Sequence, residues 1–360
     1  EVPIVLTDLD ADRVAKGVGY VHAEIAKLVA KGRLDEGKAA KLRGLVTGST
    51  DKAAFADADL VLEAVFEDLK VKKQVWAEVE QVVTPECVLA TNTSSLSVTE
   101  MAADLVHPER VVGIHFFNPV ALMPLVEVVR AKETDDVALT TAFAVGKKLR
   151  KSCVLVADAP SFVVNRLLTR FLGETYAAVD AGTPIDVANE ALDPLGLPMR
   201  PLELLGMVGP AVALHVSETL HEAFPDRFAV SDNLARVVDA GKPGFLTSDG
   251  EIDPEVTALL RIGALPIGAM PIGAIPIGAM PIGADELREH ALGAIADEIR
   301  RMLDEGVVAE PQDIDLCMIL GAGWPFYNGG ITPYLDRTGV SERVTGRRFL
   351  PPGIASVRSS

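Results

Sequence analysis

The 360-residue chain carries 34 Lys and Arg against 51 Asp and Glu, a formal net charge of −17. A surface this acidic repels nucleic-acid phosphates and anionic membrane faces, and no strong basic run offsets it, so neither is expected as a partner. With 49% hydrophobic and 24% charged residues, the composition excludes extended disorder and suits two or three globular domains.

The cysteines, Cys87, Cys153 and Cys317, are widely separated and form no C-x-x-C pair. Buried thiols in a reducing compartment such as the cytoplasm are expected, rather than a disulfide framework or a zinc site. No signal peptide is visible. The long apolar stretch 262–284 is broken by Gly and Pro every few residues, which argues against a membrane span. The chain opens at Glu1, directly on a strand-like run, so it is expected to begin inside a longer protein.

Residues 3–7 read as a short buried strand ending at Asp8, and residues 10–31 carry apolar residues at helical spacing behind Asp10, a plausible N-cap. Three short apolar runs follow, Leu60–Val65, Cys87–Asn92 and Val111–Phe117, with helical stretches between them, the clearest being Asp68–Val83. Strands alternating with helices predict a parallel sheet covered on both faces. The runs Leu125–Arg130 and Cys153–Asp158 complete this α/β half.

Beyond Pro160 helical periodicity takes over, as in Val164–Val179, so the boundary is placed there. The organisation expected is an α/β domain at 1–159, a helical domain at 160–255, a low-complexity linker at 256–284 and a second helical domain at 285–360. The linker holds the Ile-Gly-Ala-x-Pro repeat, in which regular Pro forbids a continuous helix. The two helical domains share a faint repeat. Asp180-Ala-Gly182 matches Asp304-Glu-Gly306, and Asp186, Gly196 and Pro198 match Asp313, Gly323 and Pro325.

Several residues could carry chemistry. Asp8, at the end of a strand, either binds the adenosine ribose of a dinucleotide or caps the next helix. The glycine loop G-x-G-x-x-G expected about twenty residues before such an acid is missing, since only seven residues precede Asp8. His115 lies in Gly113-Ile-His-Phe-Phe-Asn-Pro119 at the end of a buried strand, where parallel sheets place their sites. Glu127 stands alone in the apolar run Leu125–Val129, and a lone buried carboxylate needs a partner. Two antiparallel strands joined by 118–124 would bring it to His115, fix the imidazole tautomer and make a general base. The alternative is an edge strand with Glu127 in water. The hydroxyls of Thr91-Asn-Thr-Ser-Ser95 would bind a substrate oxygen or cap a helix, and Asn165 would orient a substrate or solvate a helix start. Glu67 and Lys72, read from the residues alone, are the solvated face of a helix.

Taken together, these stretches resemble the 3-hydroxyacyl-CoA dehydrogenase family. The resemblance rests on Val61-Leu-Glu-Ala-Val-Phe-Glu67 through Lys72, Thr91-Asn-Thr-Ser-Ser95, His115-Phe-Phe-Asn-Pro119, Leu125-Val-Glu127 and Phe162-Val-Val-Asn165-Arg, in family order and spacing. Ile319–Gly330 is similar to the second helical domain of the multifunctional β-oxidation α-chains. The resemblance implies a Rossmann-like NAD-binding domain, lacking its first strand and glycine loop, followed by two all-α domains. It implies NAD as cofactor and an acyl-CoA as substrate. It also implies His115 as base, Glu127 as its orienting partner, and Ser94 and Asn165 at the reacting oxygen. Asp8, Glu67, Lys72 and Asn118 would contact NAD. An enoyl-CoA hydratase domain and a thiolase subunit would be partners in the parent assembly. The family dimer would form through helical domains, a surface the second helical copy would here take within one chain. Two alternatives stay open: another β-hydroxyacid dehydrogenase, for which a lysine base would be expected, and a non-catalytic docking module.

Overall fold

The computed structural model describes residues 2–263 and 281–353. Most of the Ile-Gly-Ala-x-Pro repeat, 264–280, lies outside the described residues.

The chain starts with β1 (Ile4–Thr7), α1 (Ala11–Ala30), α2 (Glu36–Gly44) and β2 (Val46–Ser49). Asp10 caps α1 by accepting from the Arg13 amide at 2.8 Å. β2 lies parallel to β1. Val-Thr-Gly-Ser has no apolar run of its own, and it is a strand because β1 supplies its hydrogen bonds. Gly48 is needed there, since a Cβ would collide with Val14 of α1.

Next come β3 (Leu60–Glu63), α3 (Leu69–Glu80), β4 (Val88–Thr91), α4 (Val98–Ala102), β5 (Val111–Phe116), β6 (Leu125–Arg130), α5 (Asp136–Lys148) and β7 (Ser152–Ala157). They form a five-stranded sheet in the order β3-β4-β5-β6-β7. All neighbours are parallel except β5 and β6. The parallel sheet expected from the alternation is thus interrupted at one pair, the antiparallel return expected between His115 and Glu127. The connection 117–124 is too short for a crossover and can only return antiparallel. Helix starts again fall at acids: Asp68 accepts from Val71 N at 2.9 Å and Asp135 from Ala138 N at 2.7 Å.

The helical half comprises α6 (Val164–Asp180), α7 (Ile185–Glu190), α8 (Pro201–Val208), α9 (Pro210–Ala223), α10 (Asp232–Asp239), α11 (Pro254–Leu259), α12 (Ala284–Asp304), α13 (Pro311–Ala322), α14 (Ile331–Arg337) and α15 (Val340–Thr345). The linker expected from residue 256 therefore starts too early. Residues 256–259 complete α11, and Val256 is fully buried.

α6 and α12 pack against one another as the counterparts of the sequence repeat. Gly196 and Gly323 both end a helical segment in the left-handed conformation, at φ 72° and 74°. Their turns face each other reciprocally: Gly196 abuts Pro325, and Gly323 abuts Pro198. Arg166 of α6 reaches across the pair to Glu298 of α12 and to Glu305 at its C-terminal end, at 2.6 Å each. Arg227 joins the same two carboxylates, and both guanidinium groups stand over the Phe224 ring, their central carbons 4.5 and 4.4 Å from its centre.

Candidate active site

β5 and β6 place His115 directly opposite Glu127 in register. His115 Nδ1 is 2.6 Å from Glu127 Oε2. A carboxylate only accepts, so Nδ1 carries the hydrogen and Nε2 presents its lone pair. The second oxygen, Oε1, accepts the amides of Val163 and Val164 at 3.2 and 2.9 Å. Those are the first amides of α6, which lack helical partners and favour an anion. Glu127 is fully buried and His115 nearly so. Phe117 and Phe162 flank the imidazole, with ring centres at 4.5 and 5.6 Å. The edge-strand alternative for Glu127 is thereby excluded.

The chain folds tightly to reach this point. Ser161 and Phe162 both take positive φ, 59° and 52°, just ahead of α6. Such strain in non-glycine residues is held by surrounding contacts and is typical of functional sites. α13 presses on the back of the pair. Gly321 packs so closely that a Cβ would come within 2.6 Å of Leu125 and 2.9 Å of Val164. Burial, with Glu127 close by, drives the Cys317 thiol well above its usual range.

A second polar cluster occupies the ends of β3 and β4. Glu67 accepts from Thr93 Oγ1 at 2.6 Å, Ser94 N at 2.8 Å and Ser94 Oγ at 3.2 Å. Burial pushes this carboxyl up, but the Thr93 hydroxyl, the Lys72 ammonium and the Ser94 amide together leave it below the usual carboxylate range. Lys72 is buried, 2.8 Å from Glu63 and 3.2 Å from Glu67. The solvated helix face read from the residues is therefore wrong. Lys72 sits behind Glu67, tied to two carboxylates. Glu63, also bound by Thr91 Oγ1 at 2.6 Å, escaped the sequence reading. Its signal was available, because it is a lone acid in an apolar run, as Glu127 is.

Asn165 joins the two clusters: its side-chain amide donates to the Ser94 carbonyl at 3.3 Å. Ser94 and Asn165 are both partly exposed, as a substrate contact requires. Asn92 was not singled out, yet its side-chain oxygen takes the Phe116 amide at 2.9 Å and ties the ends of β4 and β5 together. Asn118 lies exposed in the β5–β6 turn. Asp8 is exposed just after β1, beside Arg13 at 4.0 Å, and it is Asp10 that caps the helix. Hydroxyls, amides and carboxylates gathered at strand ends are a donor set suited to the ribose and amide groups of a dinucleotide.

Comparison with known proteins bears on the same regions. Residues 1–159 match the NAD-binding domain, and residues 162–253 the C-terminal domain, of 3-hydroxyacyl-CoA dehydrogenase. M. tuberculosis FadB2 is 35% identical, with TM-score 0.63 over 67% of this chain and 86% of that one. The 3-hydroxybutyryl-CoA dehydrogenase of Escherichia coli is 25% identical, with TM-score 0.76 over 98% and 92%. The fatty acid oxidation complex subunit alpha of Acinetobacter baylyi is 30% identical over 348 residues, 95% of this chain and 48% of its own length. The chain thus spans about half the length of the curated relatives it matches. Fold and domain matches together define an NAD-binding dehydrogenase. Within that class, the chain belongs to the 3-hydroxyacyl-CoA dehydrogenase family.

Proposed function

We propose that the chain carries out NAD-dependent oxidation of (S)-3-hydroxyacyl-CoA to 3-ketoacyl-CoA in fatty-acid β-oxidation. The observation that carries this reading is the relay from the α6 amides through Glu127 to His115 Nδ1, which leaves Nε2 free to act. Nε2 takes the proton of the substrate's 3-hydroxyl, and in the reverse direction returns it to the 3-keto oxygen. Glu127 is the positioning residue: it fixes the tautomer and balances the imidazolium that forms. Ser94 and Asn165 hydrogen-bond the reacting oxygen. NAD, when bound, supplies the acceptor for the hydride from C3.

Asp8, Glu67 and Asn118 would hold the cofactor, with Lys72 acting through Glu67, since its ammonium is enclosed by carboxylates. The same enclosure argues against a lysine base of the kind expected in other β-hydroxyacid dehydrogenases. The relatives named as a complex subunit alpha and a multifunctional protein support a larger parent assembly, in which the partners would be an enoyl-CoA hydratase domain and a thiolase subunit. Three free cysteines support a reducing compartment such as the cytoplasm. No described helix is long and apolar enough to cross a membrane. The α6–α12 pairing supports a monomer in which the second helical copy takes the place of a partner. Sedimentation near 38.2 kDa is expected, and twice that mass would contradict it.

The test is oxidation of NADH by this chain with acetoacetyl-CoA, beside the His115→Ala variant. Turnover that falls by ~10²–10⁴-fold in the variant is expected. Turnover retained in the variant would assign the proton transfer elsewhere.

A further inference from the structure

Glu63 is buried at the end of β3 and has no part in the proposed chemistry, yet the polar cluster around Glu67 leads back to it. It stands in register with Thr91 of β4. Its Oε1 accepts from the Lys72 ammonium at 2.8 Å and the Val65 amide at 2.6 Å, and its Oε2 accepts from the Thr91 hydroxyl at 2.6 Å. Two routes run from there to the turn that presents Ser94. On the first, the Lys72 ammonium stands 3.2 Å from Glu67 Oε2, while Glu67 Oε1 accepts from the Ser94 and Ser95 amides at 2.8 and 3.2 Å. On the second, the Thr91 hydroxyl oxygen accepts from the Thr93 amide at 3.3 Å, and the Thr93 hydroxyl donates to Glu67 at 2.6 Å.

Balancing Lys72 does not by itself call for this arrangement. One carboxylate offsets one buried ammonium, and Glu67 would suffice. With Glu63 added, two carboxylates face one ammonium, and the three groups carry a net charge of −1. The side chains of Glu63 and Lys72 are each 1% exposed, whereas that of Glu67 is 24% exposed. The surplus charge therefore sits at the outer end, where a ligand can reach it. Lys72, held from behind by Glu63, orients Glu67 without closing it into a neutral pair.

We propose that Glu63 is a positioning residue of the cofactor site: through Lys72 and Thr91 it fixes the Glu67 carboxylate and the Thr93–Ser95 turn before a ligand arrives. The inference rests on the reading of Glu67 as a cofactor contact. An acceptor ordered in advance spares the cost of ordering it at binding, and a charged one makes the stronger hydrogen bond. The effect falls on cofactor affinity and not on proton transfer, because His115 and Glu127 are held separately, by the β5–β6 register and the α6 amides.

The experiment measures Kd for NADH by fluorescence titration, kcat with acetoacetyl-CoA at saturating NADH, and amide exchange in the ligand-free chain. Wild type is compared with Glu63→Gln, which keeps the size of the side chain and removes its charge. Weakening one charge-assisted contact is expected to raise Kd for NADH ~10-fold and to leave kcat within ~3-fold of wild type. Exchange at the Ser94 and Ser95 amides should quicken ~10-fold, while the Val163 and Val164 amides, bound to Glu127, keep the wild-type rate. Thr91→Val keeps every charge and cuts only the second route. It should raise Kd in the same direction by ~3-fold, and it carries the test if Glu63→Gln does not fold. A merely structural role would lower kcat through loss of folded enzyme and leave Kd unchanged, which would overturn the proposal. Unchanged exchange at Ser94 in both variants would overturn it as well. If the wild-type chain does not bind NADH while Ser94 exchange still quickens in Glu63→Gln, the cofactor reading fails and the anchoring of the turn stands.

Discussion

The first 55 residues and the rest of the protein are stabilised in different ways. β1 and β2 hydrogen-bond only to each other among the described residues, and α1, twenty residues long, buries only Val14 and Ile25. Val2, Ile4, Leu9, Tyr20 and Leu28 stand exposed there. The five-stranded sheet, by contrast, buries all of β4 and nearly all of β5 and β6, and its core runs without a break into the helices. The proposed catalytic pair, His115 and Glu127, belongs to the second region, and the proposed ribose contact Asp8 to the first. The proposed proton-transfer geometry is thus set in a dense core, while the proposed ribose contact lies in a region with few buried side chains among the described residues.

The largest expected effect comes from cutting the bond between the helical copies. Arg166→Ala leaves the buried Glu298 carboxylate with only its longer 3.3 Å contact to Arg227 and should cost ~3 kcal/mol of stability in urea or thermal unfolding. A loss within ~0.5 kcal/mol would show that the copies are held by apolar packing alone. Next, Gly321→Ala pushes a methyl into Leu125 and Val164 and should cost ~1–3 kcal/mol by overpacking, with kcat falling as α6 and Glu127 shift. Asp10→Ala removes a cap in the thin region and should cost ~1 kcal/mol. Its local character would be confirmed if amide exchange quickened in α1 and not in α6. Exchange that quickened equally in both would break the comparison between the two regions.

A separate effect is one of pH. Burial pushes the Asp180 carboxyl up to about 6, only partly offset by Ser231 and Asn233. A buried acid with a raised pKa stabilises the fold at low pH relative to high pH. Its contribution is full below the ordinary carboxylate value, about 4, and is lost as pH rises through about 6. Asp180→Asn lacks this titration, so its stability relative to wild type should rise by ~1–3 kcal/mol between pH 4 and pH 7. A flat difference would place the charge in a better solvated setting than its burial implies.

Much of this was legible in the sequence, for physical reasons that differ by element. β3 to β7 announced themselves because buried strands need unbroken β-branched runs, and Glu127 because an acid within such a run needs a partner. The twelve-residue spacing to His115 then fixed the pair once an antiparallel return was assumed. β2 was invisible because Val-Thr-Gly-Ser has no apolar run of its own, and only the neighbouring β1 makes it a strand. Lys72 was misread because its helix is amphipathic in pattern, and nothing local reveals that Glu63 and Glu67 enclose its ammonium. The role of α13 behind Glu127 was hidden altogether. It depends on Gly321 meeting Leu125 across nearly two hundred residues, a tertiary contact with no local signature.

The central claim is that Glu127 and His115 act as one unit held by the α6 amides. The direct measurement is kcat for NADH oxidation with acetoacetyl-CoA in His115→Gln, Glu127→Gln and the double variant. If the pair is a unit, each single change lowers kcat by ~10²–10⁴-fold and the double variant falls no further than His115→Gln alone. Losses that multiply in the double variant would show two independent groups and contradict the account.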